Sequence, residues 1–303
     1  MKNILLFGSG NGAKEYLLKN KDKNILAILD NDIKKHNSYF EGIKIHSPKE
    51  INNFTFDKIV IVSQWARDIY EQLINELKVD KEKIYIPVKK DIKNTNRPFE
   101  DEQTIDLARE IIKHISYNAF QDNIPILVDF GTLLGIVRDG DVIQWDDDVD
   151  FSITEDVFKI DFSMWISEVI KQFNGPIKIS IRSKTIDNVN VSYLLEFINK
   201  TEHIKFRNFL ISISLRKNVE NNSIHLPSGG MWYAPQKHFS KYEILEWKGE
   251  KIFVPYDYKN YLTFLYGDWE TPKKDITMTD YANLGKVDYN EFIDLGIGYK
   301  EIK

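Results

Sequence analysis

The sequence has 303 residues, of which 42% are hydrophobic and 29% are charged, with a formal net charge of −5 and no cysteine. The length favours about two domains and the composition is that of a globular protein. The lack of cysteine excludes disulfides, thiolate nucleophiles and zinc–cysteine sites, and the lack of a long basic run argues against a nucleic-acid surface. No secretory pattern and no stretch of roughly 20 apolar residues is present. We therefore expect a cytoplasmic protein without a transmembrane segment. A position at the inner face of a membrane is compatible with this expectation.

The first 90 residues alternate between strand and helix patterns. Short apolar runs predict strands at residues 4–7, 25–29, 58–63 and 83–86. Helical patterns follow the first run as far as Leu18 and the third run over residues 66–77. This alternation is typical of a parallel sheet with helices on its faces. We predict a Rossmann-like domain over residues 1–90.

Three glycines, Gly8, Gly10 and Gly12, lie between the first strand and the first helix. With Ala13 they fit the pattern G-x-G-x-x-A, which brings the backbone at a helix start close to a diphosphate. Asp30 ends the second strand, where a ribose-binding acid is expected. The pattern predicts a bound nucleotide, and the alternative is a vestigial fold without a ligand. No residues suited to hydride transfer are visible, so the sequence does not indicate an oxidoreductase.

The rest of the chain predicts an α+β domain over residues 99–303. The polar stretch 89–98 is the predicted linker. A helix with apolar residues at helical spacing begins near Phe99, and the segment 256–269 has a helical, aromatic pattern. Strands are predicted at residues 124–129, 189–198 and 209–215.

Acidic residues cluster at Asp146, Asp148 and Asp150. Since side chains alternate along a strand, Asp148 and Asp150 would share one face, with Val149 and Phe151 on the other, and Asp146 would join the acids if the strand extends that far. Crowded carboxylates repel each other unless a cation lies between them, and oxygen ligands suit Mg²⁺ or Mn²⁺. We predict a metal site with these acids as ligands and catalytic groups. The alternative is a solvated turn in an ordinary hairpin.

Upstream of the acids, Gly131 and Thr132 follow a predicted strand and begin a short helix. Such a turn presents backbone N–H groups and a hydroxyl to an anion. Arg138 lies farther along this helix, and its planar guanidinium suits phosphate oxygens. Together with paired acids, these groups are typical of phosphoryl or nucleotidyl transfer.

Two blocks of this region resemble a known family. GTLLGIVRDGDVIQWDDDVDFSI (131–153) resembles the signature of the LicD and fukutin-related proteins, and YLTFLYGDWETP (261–272) resembles their closing motif. The resemblance covers roughly residues 100–275 and implies a nucleotidyltransferase fold. It also implies transfer of a phospho-alcohol such as phosphocholine, glycerol phosphate or ribitol phosphate from a CDP-activated donor to a glycan or glycolipid hydroxyl. By this resemblance Gly131 and Thr132 match the phosphate loop, Asp148 and Asp150 match the paired metal-binding acids, and Asp146 matches the acid before them.

The N-terminal segment has a resemblance of its own. The stretches DND (30–32) and GIKIHSPKEI (42–51) resemble Rossmann-like modules attached to polysaccharide-biosynthesis enzymes. This is in keeping with an enzyme that modifies a capsule or a lipopolysaccharide.

One departure concerns the later acid that enzymes of this superfamily often use. On the predicted strand 209–215, Ser212 and Ser214 occupy the positions where this acid is expected. Glu196 is the candidate to replace it, or else Glu196 is a surface residue. Without a later acid, Asp146 completes the set. Two other reactions or roles stay open: a nucleotidyltransferase acting on a sugar phosphate or protein, and a non-enzymatic module that binds nucleotide sugars. The sequence does not define the oligomeric state.

Two further segments have a functional and a structural interpretation. Tyr266, Asp268 and Trp269 contact a substrate, or else they belong to a helix end stopped by Gly267 and Pro272. The stretch 227–233 is a lid over the acceptor, or else a plain surface loop. The histidines show no metal-ligand spacing.

Overall fold

The structure is a computed structural model that describes residues 2–93, 97–158, 161–199, 206–273, 277–281 and 296–302. The chain divides into two compact units, Met1–Thr95 with Pro272–Tyr281, and Asn96–Thr271 with Ala282–Lys303. Residues 272–281, which the sequence-based boundaries assign to the second domain, thus belong to the first unit. Among the described residues, no helix combines the length and the apolar character needed to cross a lipid bilayer.

The first unit contains a six-stranded sheet and three helices. Its strands are β1 (Asn3–Phe7), β2 (Asn24–Leu29), β3 (Tyr39–Phe40), β4 (Ile43–His46), β5 (Lys58–Ile61) and β6 (Ile84–Tyr85). Its helices are α1 (Asn11–Lys19), α2 (Ala66–Asn75) and α3 (Lys89–Ile92), the last within the predicted linker. The strand order is β3-β4-β2-β1-β5-β6, and only the β3–β4 pair is antiparallel. The predicted parallel sheet is confirmed.

Strand β1, in the middle of this sheet, is buried on both faces. Leu5 and Phe7 pack with the apolar side of α2, whereas Ile4 and Leu6 pack with Ala13 of α1. This double burial explains the continuous apolar run of the strand, since helices cover both sides of a parallel sheet.

The described residues of the second unit form a long mixed sheet and five α-helices. Its helices are α4 (Glu102–Gln121), α5 (Phe130–Arg138), α6 (Glu155–Phe158), α7 (Phe162–Lys171) and α8 (Tyr258–Tyr266). Its strands are β7 (Leu127–Val128), β8 (Asp148–Thr154), β9 (Ile177–Ile186), β10 (Val189–Asn199), β11 (Leu210–Val219), β12 (Asn222–His225), β13 (Tyr233–Pro235), β14 (Tyr242–Trp247), β15 (Glu250–Pro255) and β16 (Ile297–Ile302).

The main strand order in this sheet is β14-β15-β7-β8-β11-β10-β9-β16. The pairs β8–β11 and β15–β7 are parallel and the other pairs are antiparallel. The α/β class, with an N-terminal sheet domain and a mixed second domain, is therefore confirmed. The predicted strand at residues 124–129 is shorter than expected: β7 covers only Leu127 and Val128, and Asp129 then caps α5.

The two faces of the central strands differ in polarity. Val149, Phe151 and Ile153 of β8 are buried in the apolar core of this unit, as are Ile211 and Ile213 of β11. The alternate residues of both strands, which include Asp148, Asp150, Ser212 and Ser214, lie on the opposite face. One face of the sheet thus builds the core and leaves the other for polar chemistry.

Candidate functional site

Two backbone groups of Asp150, its N–H and its carbonyl, connect the start of β8 to the start of α5 by hydrogen bonds. The backbone N–H of Asp150 donates to Thr132 Oγ1 at 2.9 Å, and its carbonyl accepts from the N–H of Asp129 at 3.0 Å. Thr132 is buried, so its hydroxyl oxygen fixes the strand. The structure thereby brings the predicted phosphate-loop residues beside the predicted acids.

Gly131 lies directly against the first of these acids. A Cβ atom built on Gly131 would lie 2.2 Å from Asp146 Oδ2 and 3.2 Å from its Cγ. Any side chain at position 131 would therefore have to displace the carboxylate. The contact explains why this position in the turn is occupied by glycine.

Three consecutive acids come together at the start of β8. Ligand oxygens of Asp146, Asp147 and Asp148 lie within 4.8 Å of one another, the one such group of three in the part of the chain that the structure describes. Asp147 was not a predicted ligand. Asp150 lies one alternation farther along the strand, and burial together with the charge of Asp148 raises the pKa of Asp150 well above its usual value.

Carboxylate oxygens at this mutual distance fit a hard divalent cation. Mg²⁺ and Mn²⁺ prefer oxygen ligands, and Mg²⁺ is usually held by one or two carboxylates together with substrate oxygens. All three acids of the group are partly exposed, so that a ligand can reach them. The residues present therefore fit the predicted metal, with Asp146, Asp147 and Asp148 as the group to hold it and Asp150 next to them.

Ser212 occupies the place on β11 where a later acid was expected. It is the cross-strand neighbour of Asp150, and its hydroxyl donates to Asp150 Oδ1 at 2.7 Å. Glu196 on β10 forms an ion pair with Arg182 and does not join the group of three acids. The hydroxyl of Ser212 thus stabilises the ionised form of Asp150.

Arg138 ends α5 and is paired within its own turn. Its Nε and Nη2 donate to the two carboxylate oxygens of Asp139 at 2.8 and 2.6 Å, and its guanidinium lies 5.8 Å from the ring centre of Trp145. Arg138 thus lies against Trp145, the residue before Asp146, and Asp139 balances the charge of the guanidinium.

A buried carboxylate at Asp129 anchors the whole arrangement. Its Oδ2 accepts from Nε and Nη2 of Arg216 at 3.0 and 2.8 Å, and also from the hydroxyl of Ser152. Its Oδ1 accepts from the N–H of Phe130 at 2.7 Å and from the Tyr261 hydroxyl at 2.5 Å. These bonds compensate for the burial of the charge, which would otherwise be strongly unfavourable.

The Asp129 network connects the two sequence blocks. Tyr261 belongs to the closing motif, and its hydroxyl also accepts from Arg216 Nη2 at 2.9 Å. Phe130, which follows Asp129, has a left-handed backbone conformation with φ of 46°, and this conformation directs the chain into Gly131. Sequence reasoning did not identify Asp129, Arg216 or Tyr261 as site residues. The position of Tyr261 at the start of the second block was the one available signal.

The glycine loop of the first unit has the expected strand–turn–helix setting. Gly8 has a φ of 106°, and a Cβ on Gly12 would lie 2.2 Å from the carbonyl oxygen of Val62, so both positions require glycine. Gly10 caps α1 without a side-chain hydrogen bond. The Asp30 carboxylate accepts from the backbone N–H of Ser9 at 2.9 Å and from its hydroxyl. A nucleotide in this loop stays a prediction.

The remaining predicted segments have mainly structural contacts. Helix α8 ends at Tyr266, Gly267 follows with a φ of 65°, and Asp268 is exposed. Trp269 Nε1 donates to Thr263 Oγ1 at 3.1 Å. These positions match the helix-end interpretation.

The stretch 227–233 folds back on itself. Its Ser228 hydroxyl accepts from the N–H of Trp232 at 3.0 Å, and the Trp232 ring centre lies 6.4 Å from that of Phe130. No histidine among the described residues joins the acids, and His203 lies outside them.

Two family descriptions match this chain. Residues 123–257 match LicD/FKTN/FKRP, nucleotidyltransferase domain, and residues 1–85 match C2185-like, N-terminal. The resemblance to the LicD and fukutin-related family is thereby confirmed for the segment that contains Asp146, Asp147, Asp148 and Asp150. None of the curated proteins matches the chain.

Solved structures give weaker likenesses. ANT(2")-Ia in complex with adenylyl-2"-tobramycin is 13% identical over 52% of this chain and 76% of its own, with a TM-score of 0.29. The Megavirus polyadenylate synthase is 13% identical over 66% of this chain and 32% of its own, with a TM-score of 0.28. UDP-D-quinovosamine 4-dehydrogenase from Vibrio fischeri is 24% identical over 27% of this chain and 73% of its own, with a TM-score of 0.22. Scores of this size carry no inference about activity.

Proposed function

We propose that this chain, which carries a LicD/FKTN/FKRP nucleotidyltransferase domain, is a transferase that moves a phospho-alcohol from a CDP-activated donor to a glycan hydroxyl. The observation that carries the proposal is the contact between the α5 turn and the acids. Gly131 allows the backbone at the start of a helix to lie against Asp146, next to Asp147 and Asp148. A helix start beside a group of carboxylates is suited to a diphosphate and a divalent cation.

In this proposal Asp146, Asp147 and Asp148 would hold Mg²⁺ or Mn²⁺, which would supply positive charge opposite the donor diphosphate. The start of α5 orients the phosphate oxygens through its backbone N–H groups. The acceptor hydroxyl oxygen forms a bond to the phosphorus distal to the nucleoside, and the bond from that phosphorus to the CMP oxygen breaks. One of the neighbouring Asp residues accepts the proton of the hydroxyl.

The test is CMP release from CDP-choline, CDP-glycerol and CDP-ribitol, with and without Mg²⁺ and with cell-surface glycan acceptors. We expect metal-dependent CMP release by the wild type and a loss of at least about 100-fold in Asp148→Asn, as expected when a group acting in the transition state is removed. Glu168→Gln on α7 is the control, because Glu168 is exposed and its described partner is Lys171.

Two outcomes would contradict this function. Normal turnover by a folded Asp148→Asn variant would remove the acids from the chemistry. Release of pyrophosphate from a nucleoside triphosphate, with no CMP from any CDP-alcohol, would instead identify a nucleotidyltransferase.

A further inference from the structure

The face of the second sheet that carries the acids continues as a row of polar, mostly buried side chains over three more strands. Ser152 on β8 is paired in register with Ser214 on β11, Ser214 with Ser192 on β10, and Ser192 with Lys184 on β9. Residues paired across strands share a face. A row of polar side chains therefore leads from the strand of the acids to a lysine.

Lys184 is a cation for which the described residues provide no carboxylate partner. It is partly buried, and its Nζ donates to the carbonyl oxygen of Pro227 at 3.2 Å. Among the described residues no carboxylate lies within ion-pair distance of this nitrogen, and burial alone lowers the pKa of Lys184. A desolvated charge is unfavourable unless an opposite charge compensates for it.

Buried polar atoms without partners surround this lysine. Among the described residues, Ser192 Oγ, Arg216 Nη1 and His225 Nδ1 have no hydrogen-bond partner. Ser192 is the cross-strand neighbour of Lys184, and Arg216 is the neighbour of His225. The charges of Arg216 and Lys184 both depress the pKa of His225 after burial, so the two cations lie close to the imidazole. We call Lys184, Ser192, Arg216 and His225 the Lys184 cluster.

Among the described residues, the Lys184 cluster offers donors that lack a partner or a compensating charge: Ser192 Oγ and Arg216 Nη1 have no hydrogen-bond partner, and Lys184 donates to one neutral carbonyl oxygen. Arg216 has its Nε and Nη2 engaged by Asp129, which leaves Nη1 and the Lys184 ammonium as charged donors and the Ser192 hydroxyl as a neutral one. Unsatisfied buried polar groups are rare in native proteins and call for a partner. An anion with several oxygens would supply the acceptors and the missing negative charge.

We propose that the Lys184 cluster binds an anionic group, a phosphate or a carboxylate, of the acceptor; this assignment to the acceptor rests on the proposed function. Three strand spacings of about 4.8 Å separate β8 from β9, so the backbone of Lys184 lies about 14 Å from that of β8. A single diphosphate held at the acids does not extend that far. The cluster is therefore suited to a second anion, which selects acceptors carrying a negative charge.

The test is calorimetric titration of the full chain with inorganic phosphate, in EDTA and at constant ionic strength. We expect wild type and Asp148→Asn to bind phosphate alike, and Lys184→Met to bind it at least about tenfold more weakly, with recovery in Lys184→Arg. Lys300→Met is the matched control, because Lys300 is an exposed lysine on β16 that pairs with Ser183 and so lies on the opposite face. Ser192→Ala weakens binding without removing a charge, and serves if Lys184→Met does not fold.

Phosphate binding that is absent in wild type, or equal in wild type and Lys184→Met, would overturn the proposal. The same holds if binding is lost in Asp148→Asn and not in Lys184→Met, because the anion would then lie at the acids. The same titration with acetate assigns the group, since tighter binding of phosphate indicates a phosphate and tighter binding of acetate a carboxylate. A chain that binds phosphate through Lys184 yet releases no CMP from any CDP-alcohol would contradict the proposed function and leave the anion site in place.

Discussion

Gly131 controls where the Asp146 carboxylate lies, because the two groups are in direct contact. We expect Gly131→Ala to weaken Mg²⁺ or Mn²⁺ binding by about tenfold, since the new methyl group displaces a charged ligand. The melting temperature should change little, because a carboxylate at the end of a side chain can move more easily than backbone. Calorimetric metal titration and thermal denaturation measure the two effects.

The control for this prediction is the same substitution in an Asp146→Ala background. If the methyl group acts through Asp146, then Gly131→Ala has no further effect on metal affinity once the carboxylate is absent. An undiminished effect in that background, or unchanged affinity in the single variant, would show that the contact does not control the ligand.

Strand alternation was enough to predict part of this site from the sequence. Val149 and Phe151 are buried and Asp148 and Asp150 lie on the other face, as the alternation indicates. The rule failed to find Asp147, because β8 begins only at Asp148 and residues before a strand are not bound by its alternation. Side-chain placement in a turn depends on contacts that no periodicity encodes.

Three elements of the second unit meet at one buried ion pair. Asp129 precedes α5, Arg216 lies on β11, and Tyr261 on α8 completes the contact. We expect Asp129→Leu to destabilise the protein by about 3–5 kcal/mol, because it leaves the Arg216 charge buried and uncompensated. Adding Arg216→Met should recover part of this loss, as measured by urea denaturation in a double-mutant cycle.

The matched control is the exposed ion pair between Glu168 and Lys171, whose side chains are 57% and 63% exposed. Glu168→Gln should change the free energy of unfolding by less than about 0.5 kcal/mol. Equal effects of Glu168→Gln and Asp129→Leu, or strict additivity of the Asp129 and Arg216 substitutions, would contradict the role given to the buried pair.

The sequence could not reveal this network, for a reason of distance along the chain. Asp129 is separated from Arg216 by 87 positions and from Tyr261 by 132. Each residue also has an ordinary local pattern: an acid after a strand, an arginine in a strand and an aromatic residue in a helix. Only the strand order β7-β8-β11 and the docking of α8 bring them together.

At the scale of the whole molecule, the path of the chain differs from the simple order of two consecutive domains. The parallel sheet of the first unit was predictable, because its strands are continuous apolar runs separated by helical patterns. The return of residues 272–281 to that unit was not, because the described residues of this segment form no strand or long helix. The chain therefore passes from the first unit to the second, returns to the first over residues 272–281, and then enters the second again.

The returning segment should contribute to the stability of the first unit. Met278 packs against the apolar residues on both faces of the first sheet. Arg67 Nη2 donates to the carbonyl oxygens of Thr279 and Tyr281 at 3.4 and 3.2 Å. We expect a fragment of residues 1–95 to gain about 1–3 kcal/mol when residues 272–281 are joined to it by a flexible linker. Urea denaturation of both fragments gives the difference.

A scrambled segment of the same composition is the control for this prediction. Arg67→Met should remove part of the gain, because the two hydrogen bonds to the carbonyl oxygens are lost. If the native segment stabilises the fragment no more than the scrambled one does, residues 272–281 contribute nothing to the stability of the first unit. Residues 1–95 would then form that fold by themselves, and residues 272–281 would only connect parts of the second unit.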